Sequence, residues 1–420
     1  MPKHIVQDSS LVAVADAIRT KAGTSEPLTF PDEFISAVEG IETGGGDSGM
    51  LDALVARTLT EYSNSKTSSI GSYAFASCTS LTSVSIPACT SVGPYAFAYC
   101  SSISSVDIPV CETIDMNGFY QCLNLTSVNL PACKTIGDFI FYGCSNLMSI
   151  KINSCESIGN HAFRKCSNLT NADFSVCKTI GSYAFADCSN LVSLNFPLCE
   201  TLGSYAFSSC YNLMSVKFDV CISIGTRIFA GCSRLTNIDF HALRQLPNSA
   251  FGTLENLTLV NLPACETIDG GALANYHSLI SVGVGSCVSI GNEAFVNCIN
   301  LPNIDGPVCK TIGSSAFYNC YSLASVNLPS ATFIGSGAFQ RCHNLSTLIL
   351  GASTVCTLEK SSVFVSTPYA GYSKSFSGTP YIYVPSSLVE AYKVASNWSY
   401  FSNYFSAIED MPTETTETTE

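Results

Sequence analysis

The chain repeats its apolar positions with a fixed step of 22 residues. Phe75, Phe97, Phe119, Phe141, Phe163, Phe185, Phe207, Phe229 and Phe251 mark the step, Leu273 replaces phenylalanine once, and Phe295, Phe317 and Phe339 resume it without a slip. Self-similarity at such a period is the mark of a solenoid, in which each turn buries its apolar side only against its neighbours. Within a turn, Val84 and Ile86 alternate with Ser83 and Ser85. That is the period-two pattern of a short strand with Val84 and Ile86 inward and the serines outward. Proline often follows, as at Pro87, and ends the strand because it cannot donate to a ladder. In Ile180-Gly181-Ser182-Tyr183-Ala184-Phe185 the glycine predicts a bend toward a convex side, with Phe185 plugging the core.

The unit Leu81-x-x-Val84-x-Ile86-x-x-Cys89 fits the leucine-rich-repeat template L-x-x-L-x-L-x-x-N/C. The frame starts again at Ile103, Leu125 and every 22nd residue to Leu345. With its Ala-Phe-x-x-Cys and Ser-x-Leu-x-Ser-Val strings, the pattern resembles the BspA-type leucine-rich repeats of bacterial and phage surface proteins over roughly residues 59 to 400. The expected fold is a leucine-rich-repeat solenoid, a curved rod of about thirteen turns with a small helical N-terminal module. Its concave face is expected to carry a parallel sheet on the order of 60 Å long.

The ends depart from the repeat and set the expected domain limits. Residues 1–42 read as a helical module. Ser10 caps a helix whose apolar face is Leu11, Val14, Ala15 and Ile18, Gly23 ends it, and a second helix bears Phe34, Ile35, Val38 and Ile41. Residues 43–49 are a Gly-rich linker, and 50–70 an N-terminal cap with a helix from Met50 to Arg57 and a weak repeat at Leu59, Tyr62 and Ile70. The solenoid proper runs over 71–353. Residues 354–408 form an irregular insert and a C-terminal cap, with a strand at Ile382 and Val384, a helix over 387–393 and an apolar plug of Trp398, Tyr400, Phe401 and Phe405. The Thr/Glu-rich stretch 409–420 reads as a disordered tail. Ala13-Val14-Ala15-Asp16-Ala17-Ile18-Arg19-x-Lys21-x-Gly23, followed by Leu28-Thr29-Phe30-Pro31, resembles a short module near the termini of phage structural and tail proteins of Gram-positive hosts. That resemblance implies attachment to virion or tail proteins through residues 1–42.

Composition narrows the partners. Apolar residues at 46% can fill a long core, and a net charge of −13 argues against nucleic acid and anionic membranes. No apolar run nears the roughly 18 residues of a membrane span, so no membrane insertion is expected. Residues 1–8 lack the apolar core of a signal peptide, so export by the general secretory route is not expected, and the reading of the cysteines as free thiols implies folding in a reducing compartment, a bacterial cytoplasm.

The 22 cysteines form two files and one outlier. One file runs from Cys78 through Cys232 and resumes at Cys298, Cys320 and Cys342; the other runs from Cys89 through Cys221 and resumes at Cys265, Cys287 and Cys309. Cys356 stands outside. Parallel Cβ vectors disfavour bridging within a file, and the short C-x-x-C spacing of metal thiolates does not occur. The files read as buried structural thiols that behave as small hydrophobes, the second donating weakly to loop carbonyls.

Catalytic constellations do not emerge, and neither a cofactor nor a metal is expected. His4, His161, His241, His277 and His343 fall in separate turns. Asp107, Asp173, Asp239 and Asp305 share one outward file three turns apart, about 14 Å, too far for a glycosidase pair. Between them stand Asn129, Lys151, Asn195 and Lys217, so this strand face is a candidate surface for a polar ligand. A second candidate is an aromatic file beside the Ala-Phe plug: Tyr73, Tyr95, Phe139, His161, Tyr183 and Tyr205. The register weakens from His241 to Gly306, where a change of curvature is expected. The reading is a non-enzymatic binding and display protein. It is either a virion-associated phage tail protein offering its repeats to a protein or glycan on a host cell, or a BspA-like adhesin of the bacterial surface that binds host proteins or other cells.

Overall fold

A computed structural model of the chain describes residues 58–371 and 379–412. The expected helical module, linker and Met50–Arg57 helix lie outside the described residues, as does the chain beyond 412. The described residues fall into two compact units. The first runs to Val216 and includes Ile228–Arg234; the second is Lys217–Arg227 together with the chain from Leu235 onward.

The fold is a parallel-strand solenoid with turns of roughly 22 residues, about fifteen of them rather than thirteen. The difference arises at the ends. Glu61–Ser63 pairs in register with Ser83–Ser85, so the weak N-terminal repeat is a full strand. At the other end Thr347–Ile349 pairs with Tyr381–Val384, which pairs in turn with Phe405–Ala407. Phe405, expected only as part of a plug, continues the ladder. Around it Trp398 donates its indole N–H to the Cys356 carbonyl at 2.6 Å, and the Tyr392 hydroxyl accepts from the Cys356 amide at 2.8 Å.

Each full turn carries two strands rather than one. The three-residue strand is the expected one: in the first unit Ser83–Ser85, Ser105–Asp107, Ser127–Asn129 and Ser149–Lys151 pair one turn to the next with no offset. Val84, Val106 and Val128 are buried, while most of the flanking residues face solvent. A second ladder of two-residue strands, such as Thr113–Ile114, Thr135–Ile136 and Ser157–Ile158, lines another side of the first unit. The second unit repeats it from Gln245–Leu246 to Thr357–Leu358.

The third side of the turn is irregular in conformation and regular in hydrogen bonding. The amides of Tyr183, Phe185 and Asp187 donate to Ser204, Ala206 and Ser208 of the next turn, while those of Ala184, Ala186 and Cys188 close local turns onto Gly181, Tyr183 and Phe185. The alternation is produced by two left-handed residues, Tyr183 and Asp187, at φ +57° and +64°. Gly181 plays a different part from the one expected. A Cβ there would lie 2.6 Å from the backbone nitrogen of Asn160, so the glycine serves close stacking of turns, and the bend is made two residues later by Tyr183.

The core is the phenylalanine file. Successive rings stack nearly parallel, as Phe75–Phe97 at 5.0 Å in the first unit and Phe295–Phe317 at 5.0 Å in the second, each pair adding about 0.5–1.5 kcal/mol beyond simple burial. All 22 cysteines are free and buried. In the file after phenylalanine most thiols donate to the phenylalanine carbonyl one turn back, Cys100 to Phe75 at 2.8 Å and Cys188 to Phe163 at 3.1 Å, and Cys298 donates to Leu273 in the same way. In the other file the donation is local, Cys89 to Ser91 at 3.2 Å. Burial pushes the thiols up, Cys133 and Cys177 to about 11 and Cys155 and Cys265 to about 12. Within the expected irregularity the three-residue ladder runs from Asn237–Asp239 through Leu259–Asn261 to Ser281–Gly283 and breaks before Asn303–Asp305, which opens a new ladder. Leu243, Leu254 and Tyr276 occupy the thiol positions there and are buried.

Candidate functional site

The strand face of the first unit gathers the predicted polar residues in register, Asp107 opposite Asn129 and Asn129 opposite Lys151. All three are exposed. Asp173 accepts from Asn195 at 3.0 Å. Lys217 and Asp239 belong to the second unit, where Lys217 pairs with Asp219 at 3.0 Å and Asp239 accepts from Asn261 at 2.9 Å. Nδ1 of His241 lies 3.1 Å from Asp219 and 3.4 Å from Asp239. It is buried and makes no hydrogen bond of good geometry, so these are close contacts rather than hydrogen bonds. Beside the strands of the first unit an asparagine file links turn to turn, Asn168 to Asn146 at 3.2 Å and Asn190 to Asn168 at 3.3 Å. Much of the polar inventory of this face is thus spent on the neighbouring turn. Among the described residues no three His, Cys, Asp or Glu side chains converge as a metal site would require.

The second ladder borders shallow polar grooves that the sequence reading missed. The larger, of about 730 Å³ in the second unit, is lined among others by Gln245, Thr267, Asp269, Gly291, Asn292 and Thr311. Its carboxylate and amides are engaged, Gln245 donating to Asp269 at 2.9 Å and Asn292 accepting from the Ser314 amide at 2.8 Å. A smaller groove of about 380 Å³ lies along the same ladder in the first unit.

The aromatic file is continuous in two pieces, both in the first unit. Tyr73 stacks on Tyr95 at 4.9 Å. Asn117 then interrupts, and Phe139, His161, Tyr183 and Tyr205 stack at 4.5, 4.9 and 4.7 Å with ring planes within 9°. All are half-buried. A neighbouring file, Tyr99, Tyr120 and Tyr142, joins it through the Phe139–Tyr142 contact at 5.9 Å. Two cations absent from the sequence-level candidates sit in this field. Arg164 lies 5.2 Å over the Tyr183 ring and pairs with Asp187 at 3.2 Å, and Lys165 lies 5.5 Å over the Tyr142 ring. Burial, and then the Arg164 charge, hold His161 below the usual histidine range. Arg164 and Lys165 were detectable only as cations one and two residues past an Ala-Phe plug.

The model of the BspA type leucine rich repeat region matches residues 68–177, 156–280 and 267–369, well over half of the chain. The chain belongs to this BspA-type leucine-rich repeat family. Its BspA-type turns carry the phenylalanine file through the matched span with one leucine, Leu273. Among the described residues the aromatic file is confined to the first unit. Similar solved structures include a leucine-rich repeat protein from Bacteroides ovatus, 23% identical over 72% of this chain and 92% of that one with a TM-score of 0.39. Another is a leucine rich cell surface protein from Faecalibacterium prausnitzii, 22% identical over 70% and 88% with a TM-score of 0.34. No curated protein matches the chain.

Proposed function

We propose that this protein is a non-catalytic recognition protein that displays its repeat surface to a protein or glycan on a cell surface. One observation carries the reading: the turns hold outward side chains in straight files one strand spacing apart, as in Asp107–Asn129–Lys151, and apart from the Lys217, Asp219, Asp239 and His241 contacts the titratable groups of these files are spread from turn to turn. Such an array suits a broad contact better than a reaction. Family membership supports the adhesin form of the reading, display on a bacterial surface. The phage-tail form draws on the resemblance of Ala13–Pro31, and detection of the chain by mass spectrometry in purified virions, or its absence, decides that form.

The test is binding of labelled full-length protein to bacterial and epithelial cells by flow cytometry, before and after protease and glycosidase treatment. Saturable binding abolished by one treatment is expected. Absence of saturable binding to every cell type refutes the reading.

A further inference from the structure

We infer that the aromatic turn face of the first unit, centred on Tyr183, Tyr205 and Lys165, is the docking surface for an acidic peptide segment of a partner protein. The inference rests on the recognition reading above and names the face and the chemistry.

The molecule contains its own control. The residue that opens the turn is left-handed in both units, but only the first unit fills it with aromatics. In the second unit the same file reads Arg227, Ser249, Gly271, Glu293, Ser315 and Gly337, with φ from +53° to +68°. In the first unit the corresponding φ values of Tyr73, Tyr95, Phe139, His161, Tyr183 and Tyr205 run from +56° to +61°. The turn therefore forms equally well with serine or glycine. The left-handed conformation costs about 1–2 kcal/mol for any residue with a Cβ, serine and tyrosine alike, so the aromatics are not needed to make the turn. Half-buried rings at positions where serine serves the turn leave their edges at the surface for contact outside the fold.

The geometry selects the class of partner. Both faces of the His161 and Tyr183 rings are covered by their file neighbours. A sugar has no open face there to stack on, and what these rings offer is their edges. Tyrosine and arginine in a rigid, pre-ordered array are the residues that dominate protein contacts, because they bring large area at little entropic cost. Charge sets the remainder. Asp187 is held by Arg164, and Asp138 accepts from the Asn160 amide at 2.7 Å. Lys165 is exposed and lies over the Tyr142 ring rather than against a carboxylate. On a chain of net charge −13 this face holds a cation suited to a carboxylate beside apolar side chains.

The experiment is selection of a random dodecapeptide display library on immobilised full-length protein, followed by fluorescence polarisation of the enriched peptides. Three proteins are compared: wild type, Tyr183→Ser with Tyr205→Ser, and Lys165→Glu. A strand-face control, Asp173→Ser, is measured alongside. Serine at these tyrosine positions copies Ser249 and Ser315, so the fold is expected to persist, as circular dichroism and the urea midpoint will report. The expected result is enrichment of acidic peptides with an apolar neighbour, whose affinity falls about tenfold or more in both turn-face variants and is unchanged in the control. No enrichment, enrichment without acidic residues, or equal binding to wild type and turn-face variants overturns the inference. A glycan array bound by wild type and lost in the double variant overturns the peptide class. If cells bind wild type and double variant alike, this inference falls and the recognition function stands; if cells bind neither, the recognition function falls.

Discussion

The hydroxyl of Tyr276 donates to the carbonyl of Gly252 across 2.8 Å, at the position where most turns place a thiol. In neighbouring turns the donor is cysteine, Cys298 reaching Leu273 at 3.1 Å and Cys320 reaching Phe295 at 3.1 Å. A larger residue replaces the thiol and donates one residue further along, to Gly252 rather than to the plug residue Phe251. Tyr276→Phe keeps the ring and leaves the half-buried Gly252 carbonyl without this donor, a loss of about 1 kcal/mol. Urea unfolding of the full chain should show a lower midpoint; an unchanged midpoint would mean that the hydroxyl is incidental.

The thiol files make stability fall at alkaline pH. Folded Cys133 and Cys177 sit near 11, and Cys155 and Cys265 near 12, against an ordinary value of 9.0. Between those values the unfolded chain has released protons that the native state still holds. Raising the pH therefore favours unfolding, by about 1.4 kcal/mol per pH unit for each such thiol. With reductant present, the urea midpoint should be nearly constant from about pH 7 to 8.5 and then drop steeply toward pH 11. A flat alkaline limb contradicts protonated interior thiols. A thiol reagent near neutral pH should label the native protein slowly and reach 22 groups only after unfolding.

Two glycines separate stacking from chain entropy. At Gly181 an added methyl meets the Asn160 nitrogen and the Gly159 carbonyl carbon, both at 2.6 Å, and backbone cannot step aside cheaply. At Gly285 nothing lies within 4 Å. Gly181→Ala should lose about 1–3 kcal/mol by overpacking, whereas Gly285→Ala should be neutral or gain up to about 1 kcal/mol by restricting the unfolded chain. Equal effects of the two substitutions on the urea midpoint would remove stacking as the reason for the glycine file.

Those same residues show how far the sequence carried. Phe75, Cys78 and Val84 recur in phase, so the core and the three-residue strands were readable from side chains alone. The second ladder was not, because Thr113–Ile114 and its fellows are two residues long and hold no full period. Nor does a side chain announce a left-handed backbone when it is Tyr183 rather than glycine, and the bend was therefore assigned to Gly181. Leu59-x-x-Tyr62 read as a weak repeat because one-dimensional matching counts identities, while the Tyr62–Phe75 ring contact at 4.9 Å and the in-register pairing of Glu61–Ser63 complete the turn through space. Of the candidate sites, the Tyr183–Tyr205 stack was visible as a file, whereas the cations beside it depended on which way the turn projects them.

One surface file tests whether regular display contributes to stability. Glu112, Lys134, Glu156, Lys178 and Glu200 follow one another turn by turn, with Lys134 reaching Glu112 at 3.2 Å and Lys178 reaching Glu156 at 2.9 Å. The hydrogen bond and charge of Lys178 hold the Glu156 carboxyl below its usual range, and Glu156 likewise raises Lys178. The sign follows for both groups. The stabilisation from Glu156 is present above its unfolded value and is lost as pH falls through its lower folded value; that from Lys178 is lost only at strongly alkaline pH. Both side chains are largely solvated, so removing the pair should change the urea midpoint little, as is usual for exposed pairs. Reversal is a sharper probe than removal. Lys178→Glu places three carboxylates in succession about 4.8 Å apart, and like charges at that separation repel within a Debye length of roughly 10 Å at 0.1 M salt. The variant should unfold at lower urea than wild type in low salt, and the difference should close in 1 M sodium chloride, where the screening length is about 3 Å. A deficit that persists at high salt would mean that Lys178 acts through packing of its aliphatic stem on the adjacent turns rather than through its charge.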